Sequence, residues 1–242
     1  MSEACGLREV ACRQFKGGAW RDLTDVVTPE VRLTLVLDGA EKRLWAHPTD
    51  LEDLALGHAL LDLCPPGRIP ALDRVEGDRF FLHTRPGHAP GASRARGPLP
   101  GGPLDARDVL ARMEEFVAGE GNWEATGCFH RAGILDPGAG RFLKVVEDIG
   151  RHNCMDRLAG WMLAQGRDPS GLALFASCRF TASLLAKVAR AGFGLAVSRS
   201  ALTTAALDLA QDQGLALAGF AREGRFTVFH DPAGVIADPG RP

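Results

Sequence analysis

Residues 172–213, LALFASCRFTASLLAKVARAGFGLAVSRSALTTAALDLAQDQ, contain the pattern that decides the fold. The segment reads twice as an apolar run, a short polar turn and a helix with one apolar face. The first unit takes residues 172–176, 177–179 and 181–191, and the second takes residues 193–197, 198–200 and 203–213. Because a strand, a polar turn and a helix in repeated order are typical of layered sheets, the sequence predicts an α/β fold.

Two hairpins are predicted on either side of this segment. Their strands are residues 129–135 and 142–146 upstream, and residues 215–220 and 226–230 downstream. Pro and Gly in the connection 136–140 favour a turn there. The residues after Asp231 are predicted to form a loose tail.

The first half of the chain predicts a smaller α+β unit. Its predicted elements are a strand at 32–37, a returning strand at 43–46, a helix capped by Thr49 or Asp50 and stopped at 65–67, and a strand at 79–83. Ten of the twenty residues 84–103 are Pro or Gly and three are Arg, which predicts a mobile basic loop. A helix capped by Asp105 follows. We therefore divide the chain into an N-terminal unit, 1–104, and a core, 105–242.

Composition limits the possible function. The 242 residues carry 28 Lys and Arg against 30 Asp and Glu, so the net charge of −2 gives no reason to expect nucleic acid or an anionic membrane as partner. No apolar run approaches the roughly 20 residues that span a bilayer, and the first residues do not resemble a signal peptide, which predicts a cytoplasmic protein. The six cysteines are scattered without a C-x-x-C pair, which predicts free thiols and no zinc site.

Polar residues follow three of the predicted strands, at 147–148, 177–179 and 198–200. Open α/β sheets bind ligands beyond the carboxyl ends of their strands, where helix N-termini attract anions. The sequence therefore predicts a site for a phosphate-bearing ligand at this edge of the sheet.

The segment 147–157 allows two interpretations. As a helix, it places His152 and Asp156 on one face, toward a ligand, with apolar residues on the opposite face. The alternative is a solvated helix start with Asp148 as its cap and surface charge beyond it. Similarly, His130 is either a ligand-binding residue or a core histidine whose hydrogen bonds are satisfied.

Several motifs together resemble the FdhD/NarQ family of formate dehydrogenase accessory proteins. The sequence of the predicted helix, residues 48–57, resembles the family's N-terminal motif, and residues 126–130 (TGCFH) resemble its TG-x-x-H motif. Residues 147–157 (EDIGRHNCMDR) are similar to its EDxGRHNxxDK block, with Arg157 in place of Lys. Further similarity covers Ser177-Cys178-Arg179 with Lys187, the turn 198–203, and the turn 219–225. The motifs agree in order and spacing over most of the chain.

The resemblance implies a cytidine-deaminase-like three-layer αβα core with a smaller N-terminal α+β subdomain. It also implies a homodimer that binds the molybdenum bis(molybdopterin guanine dinucleotide) cofactor, through its GDP moiety, and that works with a cysteine desulfurase and formate dehydrogenase. Pattern and resemblance together predict these cofactor-binding residues: Phe220, Ala221, Arg222, Glu223, Gly224, Arg225, Thr126, His130, Glu147, Asp148, Arg151, His152, Asp156, Arg179, Lys187, Ser198 and Ser200. The arginines suit phosphate because a guanidinium can bind two oxygens at once.

One departure from the family concerns sulfur. The family's sulfurtransferase chemistry relies on a C-x-x-C pair in a loop that corresponds to residues 84–103, and this stretch contains no cysteine. Cys128, beside His130, is the candidate replacement as persulfide carrier. Two hypotheses for the function therefore stay open: the chain is a sulfurtransferase, or it is a non-catalytic chaperone for the cofactor.

Two kinds of enzyme are alternatives to the interpretation as a family member. Zinc-dependent deamination is excluded, since the chain lacks the H-x-E and P-C-x-x-C motifs that it requires. An unrelated enzyme on the same scaffold would use His130, Glu147 or His152 as acid and base.

Overall fold

The computed structural model describes residues 6–88 and 97–238 of the chain, which form a mixed α/β protein. The strands are β1 (Arg8–Lys16), β2 (Ala19–Val27), β3 (Val31–Leu37), β4 (Ala40–Ala46), β5 (Arg68–Glu76), β6 (Arg79–Pro86), β7 (His130–Asp136), β8 (Arg141–Asp148), β9 (Ala173–Ala176), β10 (Leu195–Ser198), β11 (Ala216–Arg222) and β12 (Arg225–His230). The helices are α1 (Leu51–His58), α2 (Ala106–Ala118), α3 (Trp123–Thr126), α4 (Arg151–Ala164), α5 (Ala182–Ala191) and α6 (Thr204–Asp212). A π-helical turn, Ala59–Leu63, continues α1.

The central sheet has the strand order β12-β11-β10-β9-β7-β8. The strands β9, β10 and β11 are parallel to one another, and β7, β8 and β12 are each antiparallel to their neighbours. The two predicted strand, turn and helix units are confirmed as β9 with α5 and β10 with α6, and both predicted hairpins are confirmed. The α/β prediction for this part of the chain is therefore correct.

Both faces of the central sheet are covered. Leu174 and Ala196 pack into a cluster with residues of α4, α5 and α6, whereas Phe175 and Val197 pack on the opposite face with residues of α2. Strands that are buried on both faces are apolar at successive positions, which explains the uninterrupted apolar runs in the sequence.

A second sheet, with the order β4-β3-β6-β5, lies in the N-terminal part, where α1 contributes to its core cluster. The predicted hairpin of β3 and β4 and the helix α1 are confirmed. Asp50 stands at the N-cap position of α1 but makes no side-chain capping hydrogen bond. The strands β1, β2 and β5 were not predicted, because few of their side chains are buried and the alternation of apolar residues is weak.

Helices α1 and α4 cross with their backbones in close contact. A Cβ atom added to Gly57 would lie 1.6 Å from the carbonyl oxygen of Asp156, and one added to Gly160 would lie 1.9 Å from that of Asp53. Glycine at both positions lets the two backbones approach this closely. The crossing fixes the N-terminal part of the chain against the central sheet.

Two predictions for irregular segments need correction. The tail after Asp231 is not loose at Val235 and Ile236, which are buried, and Ile236 forms a bridge with Leu104. The proposed basic loop 84–103 begins inside β6, and its Leu99 is buried in the core. Apolar side chains flanked by Pro and Gly pack here without regular structure, which periodicity does not reveal. Residues 89–96 of that loop lie outside the described residues, and the division at residue 104 stays a prediction.

The described cysteines, Cys12, Cys64, Cys128, Cys154 and Cys178, are free thiols, as predicted. Cys5 lies outside the described residues. Within residues 6–88 and 97–238, no helix combines the length and apolar character needed to cross a membrane.

Candidate functional site

The predicted polar turns meet at one edge of the central sheet. The parallel strands β9, β10 and β11 all end there. His130 pairs with Asp148 at the same edge, because β7 runs opposite to β9. Arg222 pairs with Arg225 across the turn from β11 to β12, also at this edge. Chain segments that are far apart in the sequence thus present their polar residues together.

This edge carries several arginines. Arg179 and Arg225 are exposed, and Arg151, Arg199 and Arg222 are partly buried. The guanidinium of Arg199 stands over the ring of Trp123, 5.7 Å from its centroid. A local excess of positive charge attracts anions even though the whole chain has a net charge of −2.

A cavity of about 380 Å³ opens between α2 and the turn from β11 to β12. The side chains of Leu110, Met113 and Val117 form an apolar wall. Two cationic side chains, Arg199 and Arg222, and two carboxylates, Glu114 and Glu223, also line the cavity. The apolar wall and the two guanidinium groups offer contacts to a ligand with a flat apolar part and an anionic part.

Arg222 has an unused donor at this cavity. Its Nε is buried and has no hydrogen-bond partner among the residues that the structure describes; it forms only a long ion pair with Glu223 Oε1, at 3.9 Å. Buried polar atoms are nearly always hydrogen-bonded, so an unpaired guanidinium nitrogen beside a cavity points to a ligand acceptor.

The turn around Arg222 has an uncommon backbone. Phe220 and Glu223 both adopt positive φ, 56° and 55°, which few residues other than glycine do. The backbone N–H of Phe220 donates to the carbonyl oxygen of Ser200 at 2.9 Å, which joins this turn to the one that follows β10. Outliers of this kind cluster at binding sites, where surrounding contacts hold them.

A second cleft, of about 600 Å³, lies beside Cys128. Trp45, Thr126 and Gly150 also line it. The hydroxyl of Thr126 donates to the carbonyl oxygen of Asn122 at 3.1 Å, and the N–H of Cys128 donates to that hydroxyl at 3.2 Å. The Cys128 side chain is exposed, so its thiol is accessible.

The thiols of Cys154 and Cys178 are poor nucleophiles by contrast. Burial raises the pKa of Cys178 to about 11 and raises the pKa of Cys154 well above its ordinary value. Because the thiolate is the reactive form, neither residue is suited to carry sulfur near neutral pH.

Two histidines at this edge are neutral near pH 7. Burial, followed by the charges of Arg151 and Arg179, lowers the pKa of His130. Burial also lowers the pKa of His152, whose Nε2 lies 3.2 Å from Ser183 Oγ. A neutral imidazole can donate from one nitrogen and accept at the other. The Nε of Arg151 is also buried at this edge, and it has no hydrogen-bond partner in the described part of the chain.

Asp148 belongs to a buried ion pair. Its Oδ2 accepts from Arg157 Nε at 3.0 Å, and its Oδ1 accepts from the N–H of Gly150 and from Asn153 Nδ2, both at 2.8 Å. Arg157 also donates to the backbone carbonyl oxygens of His47 and Thr49. Asp148 is 0% exposed and Arg157 is 1% exposed, so the interpretation of this segment as a solvated helix start is wrong.

Asp156 belongs to a second buried cluster. Its oxygens accept from Lys187 Nζ at 2.6 and 2.8 Å, and its Oδ2 lies 3.0 Å from His58 Nδ1. Asp62, in the π-helical turn, also lies 2.6 Å from Lys187 Nζ. His58, Asp62 and Asp156 could hold a metal ion by their spacing, but the Lys187 ammonium already provides the cation between the carboxylates.

Two further predicted residues have their polar groups engaged inside the fold. The hydroxyl of Ser198 donates to the carbonyl oxygen of Cys178 at 2.7 Å and accepts from the N–H of Ser200 at 2.9 Å. Glu147 pairs with Arg131, Oε1 to Nη2 at 2.8 Å. Ala221 is a core residue, while Gly224 lines the cavity. Buried and internally paired side chains shape the edge, whereas the exposed ones are free to meet a ligand.

Sequence reasoning missed four residues that build this region: Trp123, Arg131, Arg199 and His58. A signal existed for Arg131, because a charged residue inside an apolar strand must find a partner. A signal also existed for Arg199, which lies inside the predicted turn 198–200. The other two depend on contacts between distant segments and leave no local pattern.

The fold and this edge define a class of protein: a mixed α/β protein with an arginine-bearing sheet edge and an adjoining cavity, suited to an anionic ligand. Comparison with known proteins narrows the class. The model of the FdhD/NarQ family matches residues 88–236. The chain therefore belongs to the FdhD/NarQ family.

Named relatives resemble the chain over nearly its full length. The sulfur carrier protein FdhD of Chromobacterium violaceum is 30% identical, covering 93% of this chain and 95% of its own. Protein FdhD of Methanocaldococcus jannaschii is 26% identical, with 92% and 96% covered. The crystal structure of a candidate formate dehydrogenase accessory protein from Desulfotalea psychrophila has the same fold, with a TM-score of 0.79, 20% identity, and 95% and 99% of the two chains covered.

Proposed function

We propose that this protein is an accessory protein of formate dehydrogenase maturation that binds the molybdenum bis(molybdopterin guanine dinucleotide) cofactor at the arginine-bearing edge. The observation that carries the proposal is the cavity beside Arg222, whose buried Nε has no hydrogen-bond partner within residues 6–88 and 97–238. The names of the relatives, which are formate dehydrogenase accessory or sulfur carrier proteins, support it.

The lining of the cavity fits a guanine dinucleotide in chemistry. Leu110, Met113 and Val117 offer an apolar surface for a flat base, and Arg199 and Arg222 offer guanidinium groups for phosphate oxygens. Glu114 and Glu223 also line the cavity, and their carboxylates can accept from the N–H groups of guanine but repel phosphate. When bound, the cofactor supplies the molybdenum centre that the dehydrogenase requires. In this role the chain binds and orients the cofactor and needs no acid or base of its own.

We assign different roles to the predicted site residues. Contact with the ligand belongs to those that line the cavity or stay accessible at the edge, including Arg179, Arg222 and Arg225. Asp148, Asp156, Lys187 and Ser198 act as buried supports, since their polar groups are already paired.

The finer expectations from the family belong to the same proposal. The core is then cytidine-deaminase-like in its layering, the protein acts as a homodimer, and formate dehydrogenase is its partner. A cysteine desulfurase is a partner only if the chain also carries sulfur. The helices on both faces of the central sheet are consistent with that layering. The relatives that are named sulfur carrier proteins support a role in sulfur transfer.

Sulfur transfer requires a separate argument in this chain, which has no C-x-x-C pair. We propose cofactor binding without sulfur transfer as the main role. A second candidate is sulfur transfer through Cys128, favoured by its exposed thiol in a cleft. In that case the Cys128 thiolate attacks the outer sulfur of a desulfurase persulfide, takes that sulfur as a new persulfide, and releases the desulfurase thiolate.

The binding proposal is tested with GDP as the probe. We expect GDP to raise the melting temperature of the wild-type protein, since a ligand that binds only the folded state stabilises it. Arg222→Ala should abolish most of this shift. Arg141→Ala is the matched control, because Arg141 is an exposed arginine at the start of β8, at the opposite edge of the sheet. A wild-type melting curve that GDP leaves unchanged would overturn the proposal.

The sulfur question is answered by mass spectrometry. The protein is incubated with a cysteine desulfurase, cysteine and reductant-free buffer, and its intact mass is measured. Cofactor binding alone predicts no added sulfur. An adduct of one sulfur that disappears in Cys128→Ser would establish the second candidate and contradict the purely binding role.

A further inference from the structure

Arg131 is a buried charge with an unusual set of partners. It is the second residue of β7 and is 2% exposed. Its Nη1 donates to the carbonyl oxygens of Phe116 and Gly119, both at 2.8 Å, and its Nη2 donates to that of Glu120 at 3.2 Å. The last carbonyl groups of a helix have no partner within the helix. The guanidinium therefore caps the C-terminal end of α2 from inside the protein.

Glu147 extends this arrangement to the residue before α3. It lies opposite Arg131 in the pairing of β7 with β8. Its Oε1 accepts from Arg131 Nε at 3.0 Å and from Nη2 at 2.8 Å, and its Oε2 accepts from the N–H of Asn122 at 2.7 Å. Both carboxylate oxygens are thus used, one to hold Arg131 and one to hold the start of α3.

The chain between α2 and α3 lies directly on this ion pair. A Cβ atom added to Gly121 would be 2.3 Å from Arg131 Nη2 and 2.4 Å from Glu147 Oε1. A side chain at residue 121 would collide with both Arg131 and Glu147, so the backbone of the segment lies directly against the ion pair. The segment has no freedom to shift while the ion pair is intact. The position of the segment is therefore set by the two side chains.

Both ends of the segment reach the arginine-bearing edge. On one side, α2 supplies the apolar wall of the cavity through Met113 and Val117. On the other side, Trp123 of α3 lies beneath the guanidinium of Arg199, which lines the same cavity. A shift of the segment would move the wall and the support of Arg199 together.

We propose that Arg131 and Glu147 are positioning residues for nucleotide binding: they touch no ligand, and they set the width of the cavity and the orientation of Arg199. The inference rests on the proposed function for its ligand. The geometric part of the proposal is that Arg131 and Glu147 hold the segment 119–126 in place. This part does not depend on a ligand.

The affinity for GDP, measured by calorimetry at a temperature well below every melting point, tests the inference. We expect Arg131→Lys to weaken binding about tenfold, because an ammonium cannot serve the carbonyl groups and the carboxylate together and leaves buried acceptors unpaired. Glu147→Gln should weaken binding less, since its amide oxygen can still accept the hydrogen bonds made by one of the two carboxylate oxygens. Its milder change also keeps the test decisive if Arg131→Lys does not fold.

Arg157→Lys is the matched control. Arg157 is also a buried arginine with a carboxylate partner and backbone carbonyl partners, but those carbonyls belong to His47 and Thr49, away from the cavity. The Arg157→Lys variant should lower the melting temperature at least as much as Arg131→Lys does, and it should change the GDP affinity less than about twofold. Equal losses of affinity in both lysine variants, or an unchanged affinity in Arg131→Lys, would overturn the positioning role.

Amide hydrogen exchange without ligand separates this inference from the proposed function. Arg131→Lys should speed exchange in residues 119–126 about tenfold and leave β10 and α5 unchanged, because opening is then local. A uniform change along the chain would refute positioning. Absence of GDP binding by the wild type would instead refute the proposed function, and the exchange data would still decide the geometric part.

Discussion

The first turn and the middle of α4 use their polar residues in different ways. Asp156 and Arg157, in the middle of the helix, are buried. Asp156 pairs with Lys187 and His58, and Arg157 pairs with Asp148 and with backbone carbonyl groups of the N-terminal part. Arg151 and His152, in the first turn, stay partly exposed at the sheet edge. One continuous motif thus contains residues that hold the fold together and residues that remain available for a ligand.

The difference follows from what packs on each part of the helix. Around residue 160, α1 crosses α4 with direct backbone contact, so the side chains beside the crossing lose water and need partners. The first turn follows the end of β8 at the sheet edge, and Arg151 and His152 stay partly exposed there. Charge type alone therefore does not distinguish a support from a ligand-binding residue.

The largest expected effect tests the buried half of this comparison. Arg157→Met leaves the Asp148 carboxylate buried without its cation and should reduce the free energy of unfolding by about 3 to 5 kcal/mol. Urea unfolding measures it. Arg225→Met, at an exposed position, is the control and should stay within about 0.5 kcal/mol of the wild type. Similar losses of unfolding free energy in both variants would mean that burial does not distinguish the structural arginine from the exposed one.

The next effect tests the helix crossing itself. In most helices Gly→Ala stabilises by about 1 kcal/mol. Gly160→Ala should do the reverse, with a loss of about 1 to 3 kcal/mol or more, because the new methyl group would meet the Asp53 carbonyl oxygen. Thermal unfolding measures the change. Gly97→Ala, where the added Cβ meets no atom of the described part of the chain within 4 Å, should be nearly neutral. A stabilised Gly160→Ala protein would show that the helices do not pack this closely.

The smallest expected effect concerns His130 and His152, two partly buried histidines at the sheet edge. Burial lowers the pKa of both His130 and His152 in the folded state, so below about pH 6.5 the unfolded state binds more protons. Stability from this source is complete above the unfolded pKa and declines as the pH falls toward the folded values. We expect the melting temperature to drop modestly between pH 7.5 and pH 5.5. The double variant His130→Gln with His152→Gln should drop less, and an equal drop would contradict the assignment.

Much of the core was predictable because its pattern is local. The apolar runs of β9 and β10 and the helices after them were found from periodicity, since strands covered on both faces are apolar throughout. By contrast, β1 and β2 form a hairpin with few buried side chains, and their residues show no clear alternation. The prediction of a loose tail is wrong at the buried Val235 and Ile236, because two apolar residues define no period.

The α/β order, the polar turns after the strands and the family motifs can be derived from the sequence, because each depends on neighbours along the chain. The role of each motif residue depends on the tertiary structure. That structure encloses Asp148 and Asp156 among cations and, within the described residues, leaves Arg222 beside a cavity with an unpaired donor. The physical reason is that burial and pairing depend on segments brought together from distant positions, which no local spacing encodes.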